Sequence, residues 1–191
     1  MRLPTVLHAC LFAAAIVSAS ATAQQAEQLS VTRAGDSYVL SVPVSRLEMR
    51  FPAGKLVRLP MNIGGATGNP RYFYFTDPAR GITVSGWFEP AARFKGIEEF
   101  WSVEQAGWKR RGMPEPMDVA MKKIGGWDAI LYETPFPAIS NSHLRAHFVQ
   151  AGTWIDVHIS VASKDAPSSS ASRAVAEEFL QSISVAEKSG T

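Results

Sequence analysis

The sequence predicts an α+β fold, an antiparallel sheet with helices packed on both of its faces. Three observations carry that expectation. Short alternating apolar segments are punctuated by turn pairs along most of the chain. The segment Arg71-Tyr72-Phe73-Tyr74-Phe75 is aromatic on both faces, which a strand covered on both sides requires. Two stretches, Ile97 to Arg111 and Val175 to Ile183, place their apolar residues at helical spacing.

Composition sets the frame for these elements. The chain has 191 residues, 46% hydrophobic and 19% charged, which excludes disorder, collagen and coiled coil. Met1 to Ala23 carries the pattern of a secretory signal. Arg2 supplies a positive start, Leu11 to Val17 an apolar centre, and Ala21-Thr22-Ala23 a small-residue cleavage site. Residues 24–191 are then a single domain, and no transmembrane segment is expected in the mature protein, because Leu11 to Ala19 is too short to span a bilayer. Cys10 is the only cysteine; the apolar run follows it, so no lipid anchor is expected, and the mature chain has no disulfide or thiol chemistry. Lys and Arg total 19 against 17 for Asp and Glu, too even a balance for a nucleic-acid partner.

The elements follow in order. Val31, the turn Ala34-Gly35-Asp36, and Tyr38, Leu40 and Val42 form a hairpin. Leu47, Met49 and Phe51 alternate with charged residues in a further strand, and Pro52-Ala53-Gly54 turns it back into Leu56 to Leu59. The stretch Gly64-Gly65-Ala66-Thr67-Gly68-Asn69 lacks the Gly-Lys-Ser/Thr ending and the following helix of a phosphate cradle, and is a plain loop. The strands Arg71 to Phe75 and Ile82 to Phe88 flank a turn. A helix fits Ile97 to Arg111, with Glu98 and Glu99 in its first turn, Lys109, Arg110 and Arg111 in its last, and Gly112 beyond. Strands Val119 to Met121 and Ala129 to Tyr132 surround Gly125-Gly126, and Pro135 to Ile139 is an ordered loop. Ser168 to Ala171 is a polar linker before the closing helix.

The richest stretch is a hairpin, His143 to Gln150 and Thr153 to Ser160 around Ala151-Gly152. Alternation puts Leu144, Ala146, Phe148, Ile155, Val157 and Ile159 on one face. On the other stand His143, Arg145, His147, Val149, Trp154, Asp156 and His158, including every histidine of the mature chain. With Ala151-Gly152 as a two-residue turn, Gln150 opposes Thr153, His147 opposes Asp156 and Arg145 opposes His158, while a register shifted by two would set His147 against His158; either way His147, Asp156 and His158 share one cross-strand neighbourhood.

Two chemistries are available to that face. His147, Asp156 and His158 are candidate ligands for a divalent metal, or a His oriented by an Asp as general base. His143 lies about 13 Å along the strand from His147 and cannot share its ion. Alternatively, Trp154, Arg145, His143 and Val149 form a partner-binding patch, since Trp and Arg are enriched at interface hot spots. Catalytic residues are not assigned. No G-x-S-x-G elbow occurs, and the adjacent pairs Glu98-Glu99 and Glu177-Glu178 do not face each other on a helix.

The order of strands and helices, with Ile82 to Phe88 leading to the Trp101 helix and Glu177-Glu178-Phe179-Leu180-Gln181-Ser182-Ile183 closing the chain, resembles in pattern the Mog1/PsbP-like α/β/α sandwich over most of residues 37–186. That resemblance implies a binding, accessory or chaperone protein rather than an enzyme. The sequence therefore leads to a periplasmic or secreted protein that contacts another envelope protein, as an inhibitor, immunity protein or complex subunit. A metal or small-ligand binder is the second expectation, and a hydrolase the third.

Overall fold

The structure is a computed structural model and describes residues 28–60, 69–135, 139–163 and 169–188. The stretch expected to be a secretory signal, Met1 to Ala23 with Cys10, the glycine-rich stretch 63–68 and residues 136–138 of the proline-flanked loop lie outside these residues. Strands are β1 Ser30–Ala34, β2 Ser37–Ser41, β3 Leu47–Pro52, β4 Val57–Arg58, β5 Tyr72–Asp77, β6 Ile82–Pro90, β7 Met117–Ile124, β8 Trp127–Glu133, β9 Ser140–Gln150, β10 Thr153–Ser163 and β11 Ser184–Glu187. The helices are α1 Ile97–Arg110 and α2 Ser169–Gln181, with a single 3-10 turn at Ala91–Arg93.

The strands form two antiparallel sheets. One has four strands in the order β1-β2-β3-β11, the other seven in the order β4-β5-β6-β10-β9-β8-β7. This corrects the expected architecture. Strand accounts for 52% of the described residues and helix for 20%, so the molecule is mostly β and is not a sheet sandwiched between helical layers. The reason lies in the first strands. Leu40, Leu47, Met49 and Phe51 pack in one cluster with Val84, Leu144, Ala146, Ile155, Val157 and Ile159, so a second sheet does much of the covering expected of helices. Phe179 and Leu180 of α2 complete that cluster. The opposite face of the large sheet carries a smaller cluster, Trp101 and Trp108 of α1 on Ile130 and Tyr132 of β8.

Local details differ from expectation in two places. β4 does not fold back on β3 but pairs with β5 in the other sheet, so the Pro52-Ala53-Gly54 turn is where the chain changes sheets. Residues 169–171, expected in a linker, belong to the first turn of α2. Gly86 of β6 faces Val157 and Phe73 across its two neighbours, and a Cβ there would run into the Asp156 carbonyl oxygen and the Phe73 ring. A side chain at that position would push apart the sheet centre that positions Asp156.

The turn between β9 and β10 has positive φ at both central residues, 47° at Ala151 and 75° at Gly152, as a type I′ hairpin requires. Glycine adopts this freely, whereas the alanine Cβ crowds the backbone by about 1–2 kcal/mol in the left-handed region. Replacing Ala151 with Gly relieves that strain against an entropy cost of about 0.5–1 kcal/mol. Ala151→Gly is therefore expected to stabilise the chain by about 0.5 kcal/mol, read as a higher urea midpoint with unchanged slope.

Candidate functional site

The tight turn fixes the hairpin register, and the expected pairing is observed: Gln150 opposes Thr153, His147 opposes Asp156, and Arg145 opposes His158. The side chains do not meet straight across. Each β9 residue leans to the β10 residue opposite its second neighbour, a diagonal step within reach of long side chains. His143 Nδ1 and His158 Nε2 are 3.0 Å apart. Arg145 donates from Nε to Asp156 Oδ1 and from Nη2 to Oδ2, both at 2.7 Å. Trp154 Nε1 donates to His147 Nδ1 at 3.2 Å. Three diagonal pairs thus form a ladder along the hairpin.

Most of this ladder is covered. Phe100 of α1 lies with its ring centroid 4.2 Å from that of His147 and 6.2 Å from that of Trp154. Phe94, just before α1, lies 5.1 Å and 5.2 Å from the same two rings. The Arg145 guanidinium sits 5.1 Å from the Trp87 ring centroid and 4.9 Å from that of Phe100. Asp156 is 0% exposed and His147 1% exposed.

Burial decides the charge states. It pushes His147 down to about 4, against the pull of Asp156, with Arg145 adding to the depression. Burial also pushes His143 down to about 4. His158 is held well below the usual range by burial, and then by Arg145 and His143. Burial opposes the Arg145 charge too, but Asp156 outweighs it and raises the guanidinium above its ordinary value. At neutral pH the ladder is one ion pair flanked by neutral imidazoles.

Hydrogen bonding then assigns the tautomers. An indole N–H can only donate, so His147 Nδ1 accepts and its proton sits on Nε2, which is buried with no hydrogen-bond partner among the described residues. Asn141 Nδ2 donates to Thr134 Oγ1 at 3.1 Å, and Thr134 Oγ1 lies 2.9 Å from His143 Nε2. With Thr134 donating onward, His143 carries its proton on Nδ1 and gives it to His158 Nε2. The His143 and His158 rings are only 20° from parallel, with centroids 5.2 Å apart, farther than the 3.0 Å nitrogen separation by about a ring diameter. The two rings therefore lie nearly in line, each bridging nitrogen pointing at the other rather than toward a common third point.

That geometry answers the metal expectation. His147 Nδ1 is 3.8 Å from Asp156 Oδ1, but both carboxylate oxygens are held by Arg145, the His147 Nδ1 lone pair by Trp154, and His158 Nε2 by His143. The structure does not bring His147, Asp156 and His158 to one point, and the described residues contain no group of three or more His, Cys, Asp or Glu able to hold an ion. The expected partner patch is also taken apart. Trp154 and Arg145 lie in the interior and His143 is half-buried, while Val149 alone of the four is exposed, at 46%.

A surface the sequence reading passed over stands one sheet edge away. β7 is exposed at every position before Ile124, and Met117, Val119 and Met121 along it are joined by Met113 in the preceding loop. Met121 pairs with Ile130, which places it on the α1 side of the sheet. The register shifts between Met117 and Ala120, with Asp118 at φ 51°. Arg173 of α2 ties down this bulge by donating to the Asp118 carbonyl oxygen and to the buried Glu133 carboxylate, both at 2.7 Å. The signal was the alternation of Met117, Val119 and Met121 with Asp118, Ala120 and Lys122, with no second apolar run outside it, although the bulge turns Met117 to the Glu133 side of the sheet, away from Met121.

No protein-family model matches the chain, and no curated protein does. Among solved structures, a protein from Bacteroides thetaiotaomicron is similar at 13% identity and a TM-score of 0.42, over 75% of this chain and 46% of that one. This chain therefore spans about half the length of that protein. PA94 of Pseudomonas aeruginosa, described as a protein of unknown function, is similar at 9% identity and a TM-score of 0.36, over 86% of this chain and 99% of its own. No helix among the described residues is long and apolar enough to cross a membrane.

Proposed function

We propose that this chain is an exported binding or accessory protein of the periplasm that acts by contacting another protein, as an inhibitor, an immunity protein or a subunit of an envelope complex. The signal-like pattern of Met1 to Ala23 supports the compartment. The observation that carries the contact is β7, an outer strand whose apolar side chains Met117, Val119 and Met121 are 40–48% exposed. The hairpin chosen from sequence plays a structural part in this reading, because its polar groups satisfy one another. Contact moves to the opposite edge of β8.

Site-specific photo-crosslinking in the source cell tests it. A crosslinking residue in place of Met121 is expected to trap a discrete protein, whereas one in place of Val103, 62% exposed on α1, is not. Equal labelling at both positions, or none at either, would overturn the reading.

A further inference from the structure

The reading of β7 as a contact surface extends to what it contacts. Next to the start of that strand, the last turn of α1 and the loop after it enclose a cavity of about 430 Å³. Ala106, Trp108, Met113 and Pro116 give it apolar walls, and Lys109 and Glu115 stand on it as charged residues. Pro116 leads directly into β7, so the cavity and the exposed Met113 lie at the start of that strand. Methionine fills irregular gaps and adapts to different side chains, which suits a wall that receives a partner's residue.

Charge selects among occupants. Lys109, Arg110 and Arg111 are all exposed, and no ion pair compensates them among the described residues. The lysines of β7 differ: Lys122 is paired with Glu177 and Lys123 with Asp128. A helix C-terminus explains part of the basic run but not its size. The macrodipole there amounts to about half an elementary negative charge. Three cations exceed it several-fold, and Glu115 leaves the surplus positive. Uncompensated positive charge is thus concentrated at the helix end beside the apolar cavity, where Lys109 lines it and Arg110 and Arg111 follow directly in the chain.

We infer that this groove receives a short acidic segment of the partner protein, one apolar side chain entering between Trp108 and Met113 and flanking carboxylates meeting Lys109, Arg110 and Arg111. The inference rests on the reading of this edge as a contact surface and adds the chemistry of its partner. Apolar burial supplies affinity, and the charges supply selectivity and a fast encounter.

The test uses a displayed library of random dodecapeptides selected on the purified protein, followed by synthesis of the enriched sequence. Expected are sequences with Asp or Glu on both sides of a Leu, Met, Phe or Trp. Binding of the synthetic peptide, followed by fluorescence anisotropy, is expected to weaken about tenfold or more in R110E/R111E and in Met113→Asp. Arg33→Glu, at an exposed cation on β1, should leave it unchanged. R110Q/R111Q, which removes charge without adding any, is expected to fall between the two, and thermal melts verify that each variant is folded. Enrichment of neutral or basic peptides, no enrichment, or indifference to R110E/R111E would overturn the inference. So would a stoichiometric dimer in sedimentation velocity that R110E/R111E dissociates, since a second copy would then occupy the groove. A crosslinked partner at Met121 with no acidic peptide selected would sink the inference and leave the contact reading standing; no partner at Met121 would sink the reading itself.

Discussion

Asp156→Asn is expected to destabilise the folded chain by about 3–5 kcal/mol, the range for breaking a buried ion pair from one side. Asparagine keeps the shape of aspartate, so the loss measures charge and not a cavity. Asp156 is fully buried and takes two hydrogen bonds from one guanidinium, which itself lies between the rings of Trp87 and Phe100. Without the carboxylate, Arg145 keeps its charge beside aromatic rings that leave its side chain only 11% exposed. A domain of this size holds a total stability of about 5–15 kcal/mol, so the variant approaches the edge of folding. The double variant Arg145→Met/Asp156→Leu removes both charges and is expected to recover most of the loss, because apolar groups can replace a buried pair at little cost. Urea unfolding at pH 7 measures both. A cost below about 1 kcal/mol for Asp156→Asn would mean that water reaches the pair and that α1 does not seal this face.

Acid is expected to unfold the protein earlier than carboxylate titration alone would. His147 has an ordinary value of 6.5 and is pushed down to about 4 in the fold. Below pH 6.5 the unfolded chain takes up a proton that the folded chain refuses until about pH 4. The unfolded state then binds more protons, so stability is complete above pH 6.5, falls steadily toward pH 4 and levels off below it. For His147, nearly inaccessible to solvent, the full effect amounts to about 3 kcal/mol at most. His143 is depressed to about 4 as well and acts in the same direction. His147→Gln keeps an acceptor for Trp154 Nε1 and removes the titration. Melting temperatures measured from pH 7.5 to 4 should fall less steeply in this variant. An unchanged slope would place the acid sensitivity elsewhere.

The hairpin register was legible to within one alternative: a two-residue turn at Ala151-Gly152 sets every pair behind it, and the structure has that register and not the one shifted by two. Helix α1 was legible too, from the spacing of Ile97, Phe100, Trp101 and Trp108 and from the charges at its ends. What alternation does not reveal is whether the polar side of a hairpin is wet. His147 and Asp156 read the same under water as under Phe94 and Phe100, which come from a segment some fifty residues earlier. The aromatic company of that face, Trp87, Tyr132 and Trp154, belongs to three different strands and shows only once their order is known. The expected helical layers failed for a related reason. Leu40, Leu47 and Met49 mark a one-sided sheet, but nothing local says that its apolar side closes on a second sheet. β11 is short, and its exposed and half-exposed residues carry almost no periodic signal.

That last strand has a bearing on how the molecule is made. β11 pairs Ser184 with Arg50 and Glu187 with Leu47, and Lys188 reaches on to the carbonyl oxygen of Val42. Among the described residues, the sheet of the first three strands is therefore completed by the last strand, a pairing between positions about 140 residues apart. Contacts so distant in sequence form slowly, because the whole intervening loop must be ordered before any return is gained. Until then β3 keeps a bare edge, and Leu47 and Met49 stand beside it waiting for cover. The topology itself therefore ties the completion of this sheet to the arrival of β11, and until then its open edge can accept any other strand that reaches it.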